Sequence, residues 1–167
     1  MNRPRAFAHF EGIYMLIDDN TVVTIHYELS DTDGTVLSAS SQAMSYLHGG
    51  YGAVFAAVER ALHGKAAGHE EHVPLAPGDA FGEIDRNLLR AEPRERFPAD
   101  VSEGLRFQGR TENDDDPVIY TVIAVTDDSV VVDGNHPLAG RHLRFKCRVE
   151  AVRTATEEEI AAGRAIG

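Results

Sequence analysis

The sequence has little of what marks a membrane-bound, nucleic-acid-binding or disulfide-stabilised protein. Its one cysteine, Cys147, excludes an intrachain disulfide and a cysteine-based zinc site, and a lone thiol suits a reducing compartment. No apolar run approaches the roughly 20 residues of a membrane span. The formal charge of −11 argues against nucleic acid or an anionic membrane as the main partner, because both are bound through basic patches. These shortages favour a cytoplasmic protein.

What is present is enough for a packed core. The chain has 167 residues, of which 43% are hydrophobic, and this predicts one domain or a domain with a small insert. The first 17 residues are interpreted as an extension, because His9, Glu11 and Gly12 interrupt the unbroken apolar run that a signal peptide needs. Translation from Met15 is a further hypothesis, which N-terminal sequencing of the native protein would decide.

Two segments alternate between apolar and polar residues and therefore predict half-buried strands. Residues 21–29 are the first, and their apolar face carries Val23, Ile25, Tyr27 and Leu29. A turn at residues 31–34, a short strand at 36–37 and a bulge or loop over 38–42 follow it. Residues 143–152 are the second, and their apolar face carries Leu143, Phe145, Cys147, Val149 and Ala151.

A helix is predicted over residues 53–63. Its apolar stripe is formed by Val54, Phe55, Val58 and Leu62. Gly64 stands where a left-handed residue commonly ends a helix. Residues 70–75 then predict a strand, and Pro74 and Pro77 are confined to a sheet edge or to the ends of that strand. Near the end of the chain, Thr156 and Glu159 form a capping box for a short final helix.

Between these elements, residues 84–134 predict a separate β unit of about fifty residues. The first part, residues 84–95, is charged and is expected to be irregular. Three strands follow, at residues 105–110, 118–125 and 129–132. They are separated by turns that are expected at residues 112–117 and 127–128.

Three motifs occur in a familiar order. They are Tyr-Leu-His-Gly at residues 46–49, Ala-Phe-Gly at residues 80–82 and Asn-His-Pro-Leu-Ala-Gly at residues 135–140. This order resembles the FKBP-type prolyl isomerases, and most closely their SlyD-like branch, in which the Tyr-Leu-His-Gly turn leads into the helix.

The resemblance implies an α+β, mainly β fold, in which an antiparallel sheet wraps one helix and a small β domain is inserted. It implies five segments. These are an extension at residues 1–17, a discontinuous isomerase domain at 18–83 and 135–153, an insert-in-flap chaperone domain at 84–134, and a C-terminal helix and tail at 154–167.

The implied activity is peptidyl-prolyl cis–trans isomerisation that assists protein folding, with unfolded chains bound by the insert. The partners would be unfolded polypeptides that contain Xaa–Pro bonds, and a monomer is expected. An apolar pocket suffices for this reaction because the twisted transition state is less polar than the planar amide, so no cofactor or metal is expected. The resemblance places nine residues around such a pocket: Tyr27, Leu37, Tyr46, Val54, Phe55, Val58, Phe81, Leu138 and Phe145. Periodicity alone would assign the same residues to an ordinary core.

Two departures from the family pattern keep other functions open. Phe81 replaces a family tyrosine whose hydroxyl bonds a substrate carbonyl, and Ser38 replaces a family aspartate. These changes predict weak activity, and the alternative is a holdase chaperone that has lost catalysis. A metallochaperone is a weaker alternative, because the chain ends without the histidine- and cysteine-rich nickel-binding tail of many relatives. His69 and His72 are interpreted as solvated surface rather than as metal ligands.

Overall fold

The computed structural model describes residues 13–111 and 114–167, and it divides the chain into two units. The first unit comprises residues up to Asp79 together with His142–Gly167, and the second is Ala80–Arg141. Most of the predicted N-terminal extension, residues 1–12, lies outside the described residues. The last residue of that predicted extension, Ile17, is buried and exchanges backbone hydrogen bonds with Gly64 and Lys65.

The first unit is a five-stranded antiparallel sheet on one helix. Its strands are β1 (Thr21–Asp31), β2 (Val36–Ala39), β3 (Met44–His48), β4 (Glu70–Leu75) and β9 (Leu143–Thr154). They run in the order β2-β1-β9-β4, and β3 pairs with the first half of β1. Helix α1 (Ala56–Leu62) buries Val58 and Leu62, and α2 (Glu157–Ala162) follows β9. The predicted α+β, mainly β fold is confirmed.

The alternation of β1 and β9 is confirmed except at one end. Leu143, Phe145, Cys147 and Val149 are buried, but Ala151 is exposed, which corrects its predicted inward orientation. The register between β1 and β9 shifts here, because Thr24 pairs with Ala151 while Ile25 pairs with Val149. The extra residue is a β-bulge, which moves the following side chains to the opposite face.

Two further elements of the first unit differ from the prediction. Helix α1 begins three residues later than predicted, because Phe55 has an extended backbone (φ −57°, ψ 136°) and occupies the N-cap position. Residues 46–48, predicted as part of a turn, end strand β3. All three are buried, since Tyr46 and Leu47 point to opposite faces that are both covered, and this removes the alternation that marks a strand.

The second unit contains its own four-stranded sheet. Its strands are β5 (Leu89–Pro93), β6 (Arg106–Thr111), β7 (Asp114–Val125) and β8 (Ser129–Asp133), in the order β5-β8-β7-β6. Its core is formed by Val101, Tyr120, Val122, Val130 and Val132. All three strand pairings are antiparallel, and all four strands come from one continuous stretch of chain.

Two predictions for this second unit were wrong in detail. Residues 84–95 are not irregular throughout, because strand β5 pairs with β8 at the sheet edge. The sequence hides it, since none of its residues is fully buried. The turn predicted over residues 112–117 is shorter, because β7 already begins at Asp114 and pairs Pro117 with Arg110. Glu112 and Asn113 lie outside the described residues. Within the described ranges, no helix is long and apolar enough to cross a membrane.

The C-terminal segment is held by one buried carboxylate. Glu159 accepts two hydrogen bonds from the Arg153 guanidinium, at 2.6 and 2.8 Å. It also accepts from the backbone amides of Thr156 at 2.8 Å and Ile166 at 3.0 Å, and the predicted capping box is confirmed. These hydrogen bonds, first of all those from Arg153, hold the pKa of Glu159 far below its ordinary value. The carboxylate therefore joins β9, α2 and the last residues of the chain.

We expect Glu159→Gln to lower the melting temperature by several degrees at pH 7, whereas Glu158→Gln, at the exposed neighbouring position, should change it little. The depressed pKa stabilises the fold above the ordinary glutamate value of about 4.5, and this stabilisation declines as the pH falls below that value. The difference between wild type and Glu159→Gln should therefore shrink towards pH 3, as followed by circular dichroism. Equal melting of both variants at pH 7 would contradict this role.

Candidate active site

Three aromatic side chains meet on the helix-facing side of the first sheet. Tyr27 on β1 and Phe145 on β9 stack with ring centroids 5.5 Å apart and an interplanar angle of 8°. Phe55, at the start of α1, meets Phe145 edge to face, with centroids 6.2 Å apart. Alternation along both strands points Tyr27 and Phe145 to the same face, and the extended backbone of Phe55 brings the helix start over it. The three rings form an apolar aromatic surface.

The other predicted pocket residues of this unit occupy two different settings. Leu37 on β2 and Val54 before α1 are half-buried. Tyr46 and Val58 are fully buried and belong to the core of the unit. The Cys147 thiol, opposite Tyr27 on β9, is also buried, and burial raises its pKa to about 11. It is therefore protonated at neutral pH and supplies no nucleophile.

Two predicted pocket residues, Phe81 and Leu138, belong to the second unit. Within that unit the Phe81 ring stacks on the His136 imidazole, with centroids 4.1 Å apart and an interplanar angle of 7°. The backbone amide of Leu138 donates to Nδ1 of His136 at 3.0 Å. The loop that carries the Asn-His-Pro-Leu-Ala-Gly motif thus contacts the Ala-Phe-Gly motif through this imidazole. Gly140 tightens the same loop by donating its amide to the Gly82 carbonyl at 2.8 Å.

The family aspartate position, Ser38, is exposed on β2 and faces Leu29 across the strand pair. Ser40, two residues on, bonds the Tyr27 backbone instead: its hydroxyl accepts from the Tyr27 amide at 2.9 Å. This bond ties the end of β2 to β1 beneath the Tyr27 ring. The serine-rich loop therefore positions the aromatic surface, and it brings no charged group to it.

A histidine pair that sequence reasoning missed lies in the first unit. His48 is buried, its Nδ1 lies 3.0 Å from the Tyr46 hydroxyl, and its Nε2 lies 3.1 Å from Nδ1 of His63. Burial lowers the pKa of His48 and raises that of Tyr46 well above its ordinary value, so both are neutral at pH 7. Asp19 completes a cluster whose ligand atoms lie within 4.8 Å of one another. The two histidines are 15 residues apart, in a strand and after a helix, so no local spacing could have indicated the pair.

The second unit has an open depression of about 380 Å³ on the core side of its sheet. Apolar side chains form much of its lining: Phe97, Pro98, Phe107, Tyr120 and Val132. Phe97 and Phe107 meet edge to face at 5.3 Å. Arg90, Arg96 and Glu92 also border the depression. The Tyr120 hydroxyl is buried, and within the described part of the chain it has no hydrogen-bond partner.

An antiparallel sheet on a single helix, an aromatic surface between them and an inserted β unit define an FKBP-like prolyl isomerase with an insert. Comparison with known proteins gives the family. The chain is 39% identical over 157 residues to the FKBP-type peptidyl-prolyl cis–trans isomerase SlyD of Escherichia coli K12, covering 92% of this chain and 79% of that protein. It is 41% identical to SlyD of Vibrio cholerae over 89% of this chain and 75% of that one.

SlyD of Treponema pallidum is 37% identical over 89% of this chain and 85% of its own length. No family model matches the chain. At this identity and coverage, the chain belongs to the SlyD family of FKBP-type peptidyl-prolyl cis–trans isomerases. The resemblance found in the three motifs is thereby confirmed.

Proposed function

We propose that this protein accelerates the cis–trans isomerisation of Xaa–Pro bonds in polypeptide chains, and that the bond is bound on the aromatic surface of the first unit. Membership of the SlyD family supports the reaction. The contacts of Tyr27 and Phe55 with Phe145 support this binding location, because they place three rings on a rigid frame of strand and helix. A proline ring packs well on such a surface, since both are apolar and nearly flat.

The reaction needs a change of surroundings more than a reacting group. Rotation about the bond faces a barrier of about 18–20 kcal/mol, because resonance gives the C–N bond partial double-bond character. The planar amide is polar, and twisting removes the charge separation of resonance. Water stabilises the planar form more than the twisted form. A surface that displaces water from the bond therefore lowers the barrier by binding the twisted state relatively better.

Each ring of the aromatic surface has a separate role in this scheme. Tyr27 and Phe145 stack across paired strands and form a fixed wall. Phe55, at the helix start, meets that wall at nearly 90° and so makes a corner against which a proline ring would be held. Leu37 and Val54 extend the apolar surface, and Tyr46 and Val58 belong to the core of the unit. The assignment of Phe81 and Leu138 to the pocket remains a prediction from the family resemblance.

We further propose that the second unit binds unfolded chains through the depression beside Tyr120. Its apolar lining suits exposed hydrophobic side chains, and its arginines suit the carbonyl groups and carboxylates that accompany them. Strand β6 at the sheet edge offers further backbone donors and acceptors to an extended segment.

The setting of this activity follows from the same features. We propose a cytoplasmic protein that acts as a monomer on partly folded polypeptides, with neither nucleic acid nor membrane as a partner. The lone cysteine and the charge of −11 support this setting.

The isomerase proposal predicts that the protein accelerates the slow, proline-limited phase of refolding of a substrate protein. Phe55→Ala should lower kcat/KM for a short proline-containing peptide about tenfold or more, since ~1.4 kcal/mol of lost transition-state stabilisation has that effect. The control is Val36→Ala, which truncates an exposed apolar side chain in the same unit. Its activity should equal that of wild type.

Two results would count against this assignment. Suppressed aggregation with an unchanged slow phase would support the holdase alternative. Equal activity of Phe55→Ala and Val36→Ala, in variants that melt like wild type, would place the reaction away from the aromatic surface.

The chaperone proposal predicts a selective loss when the depression is altered. Phe107→Ala should weaken binding of a permanently unfolded polypeptide several-fold, because it removes one of the two rings that meet edge to face there. Its activity on a short peptide should not change. The control is Ile119→Ala: Ile119 is exposed and adjacent to buried Tyr120 on β7, so it points to the opposite face of the sheet.

Binding would be measured by fluorescence anisotropy of the labelled polypeptide, with circular dichroism to verify that each variant folds. Equal weakening by Phe107→Ala and Ile119→Ala would refute a role for the depression. Parallel losses of peptide isomerisation and of polypeptide binding would contradict the separation of the two roles.

A further inference from the structure

The histidine pair of the first unit lies where three segments of chain converge. His48 ends strand β3, and His63 directly follows the buried Leu62 at the end of α1. Residues 17 and 63–65 are joined by two backbone hydrogen bonds, from Ile17 to the Lys65 carbonyl at 2.8 Å and from Gly64 to the Ile17 carbonyl at 2.7 Å. This pairing brings the turn that carries Asp19 beside both imidazoles. None of these residues belongs to the aromatic surface.

The separation of the two imidazole nitrogens matches joint ligation of one ion. Nε2 of His48 and Nδ1 of His63 are 3.1 Å apart. Two imidazole nitrogens that bind one ion at about 2.0–2.1 Å, with a bond angle between 90° and 109°, lie about 2.9–3.4 Å apart. A carboxylate oxygen of the exposed Asp19 and one ring nitrogen of each histidine lie within 4.8 Å of one another. Two imidazoles and a carboxylate are a common ligand set for zinc and its neighbours.

A polar group lies behind each of the two imidazoles. With Nε2 of His48 on the ion, its Nδ1–H can donate to the Tyr46 oxygen, 3.0 Å away. With Nδ1 of His63 on the ion, its Nε2 carries the ring proton and lies 3.7 Å from the Asp18 carboxylate. Partners of this kind orient imidazoles that bind metals and raise their basicity.

The backbone around the cluster is held in place before any ion arrives. The Asn20 amide donates to the His48 carbonyl at 2.8 Å, and Tyr51 donates its hydroxyl to the Asn20 side chain at 2.6 Å. Glu59 accepts from the amides of Gly49 and Gly50 at 2.6 and 2.9 Å, which fixes the loop after His48. These bonds keep the three ligand-bearing segments together without a metal.

The surroundings also leave room and charge for a cation. The cluster borders an open depression of about 360 Å³. The side chain of His48 is 2% exposed and that of His63 is 50% exposed, so the ion would enter from the His63 side and keep positions for water. The carboxylates of Asp18, Asp19 and Glu59 lie nearby, and one guanidinium, that of Arg60, borders the same depression. The net local charge therefore favours a divalent cation.

We propose that Asp19, His48 and His63 form a binding site for one divalent transition-metal ion of the zinc type. The site lies in the folded first unit and uses no residue of the chain terminus. It does not depend on the isomerase reaction, since its ligands are other residues than the three rings of the aromatic surface.

The test titrates the full-length protein with Zn²⁺ by isothermal calorimetry. Wild type should bind one equivalent, and His63→Ala should weaken that binding more than about tenfold, with a smaller loss for Asp19→Asn. His69→Ala is the matched control, because His69 is another partly exposed histidine of the first unit that contacts a carboxylate, that of Glu71 at 2.7 Å. It should bind as wild type does. Both His63 and Asp19 are exposed, so these variants should fold.

Histidine ¹⁵N spectra identify the ligand atoms independently of the variants. Zn²⁺ should shift Nε2 of His48 and Nδ1 of His63, and leave the ring nitrogens of His69 and His72 in place. The proposal is overturned if wild type binds no Zn²⁺ at micromolar concentration. It is equally overturned if His63→Ala binds as tightly as wild type, or if the shifted nitrogens belong to other histidines.

Discussion

The pairing of β1 with β9 is the interaction on which the first unit depends. It joins eleven residues at the start of the described chain to a strand that begins only after the second unit has been completed. Every other strand of this sheet is held by one of these two: β2 and β3 pair with β1, and β4 pairs with β9. The same pairing sets Tyr27 beside Phe145. The same strand pairing therefore closes the discontinuous unit and forms the proposed catalytic surface.

The proposed catalysis also explains the kind of residue found at this surface. Polar groups near the bond would hydrate the planar amide, whereas rings and aliphatic side chains displace water from it. The buried, protonated thiol of Cys147 supplies no charge to the surface. The departures from the family pattern at Phe81 and Ser38 concern polar groups, and the three rings of the surface are present. In a mechanism that rests on desolvation, such changes adjust the rate and leave the reaction possible.

Sequence reasoning succeeded where one face of a segment is buried. The alternation of β1 and β9, the stripe of α1 and the capping box of α2 were all predicted, because a single buried face imposes a visible period. It failed where that condition is absent. Strand β3 is covered on both faces, β5 is buried on neither, and the bulge opposite Thr24 reverses the alternation at Ala151. The aromatic residues followed from the family resemblance, whereas the pairing of His48 with His63 required the tertiary fold.

The most direct test of the account asks where a proline ring contacts this protein. Intermolecular nuclear Overhauser effects would be measured between a short proline-containing peptide and the full-length chain. The account predicts contacts from the proline ring protons to the rings of Tyr27, Phe55 and Phe145. Contacts confined to the second unit, or to residues of the first unit remote from these three rings, would contradict it.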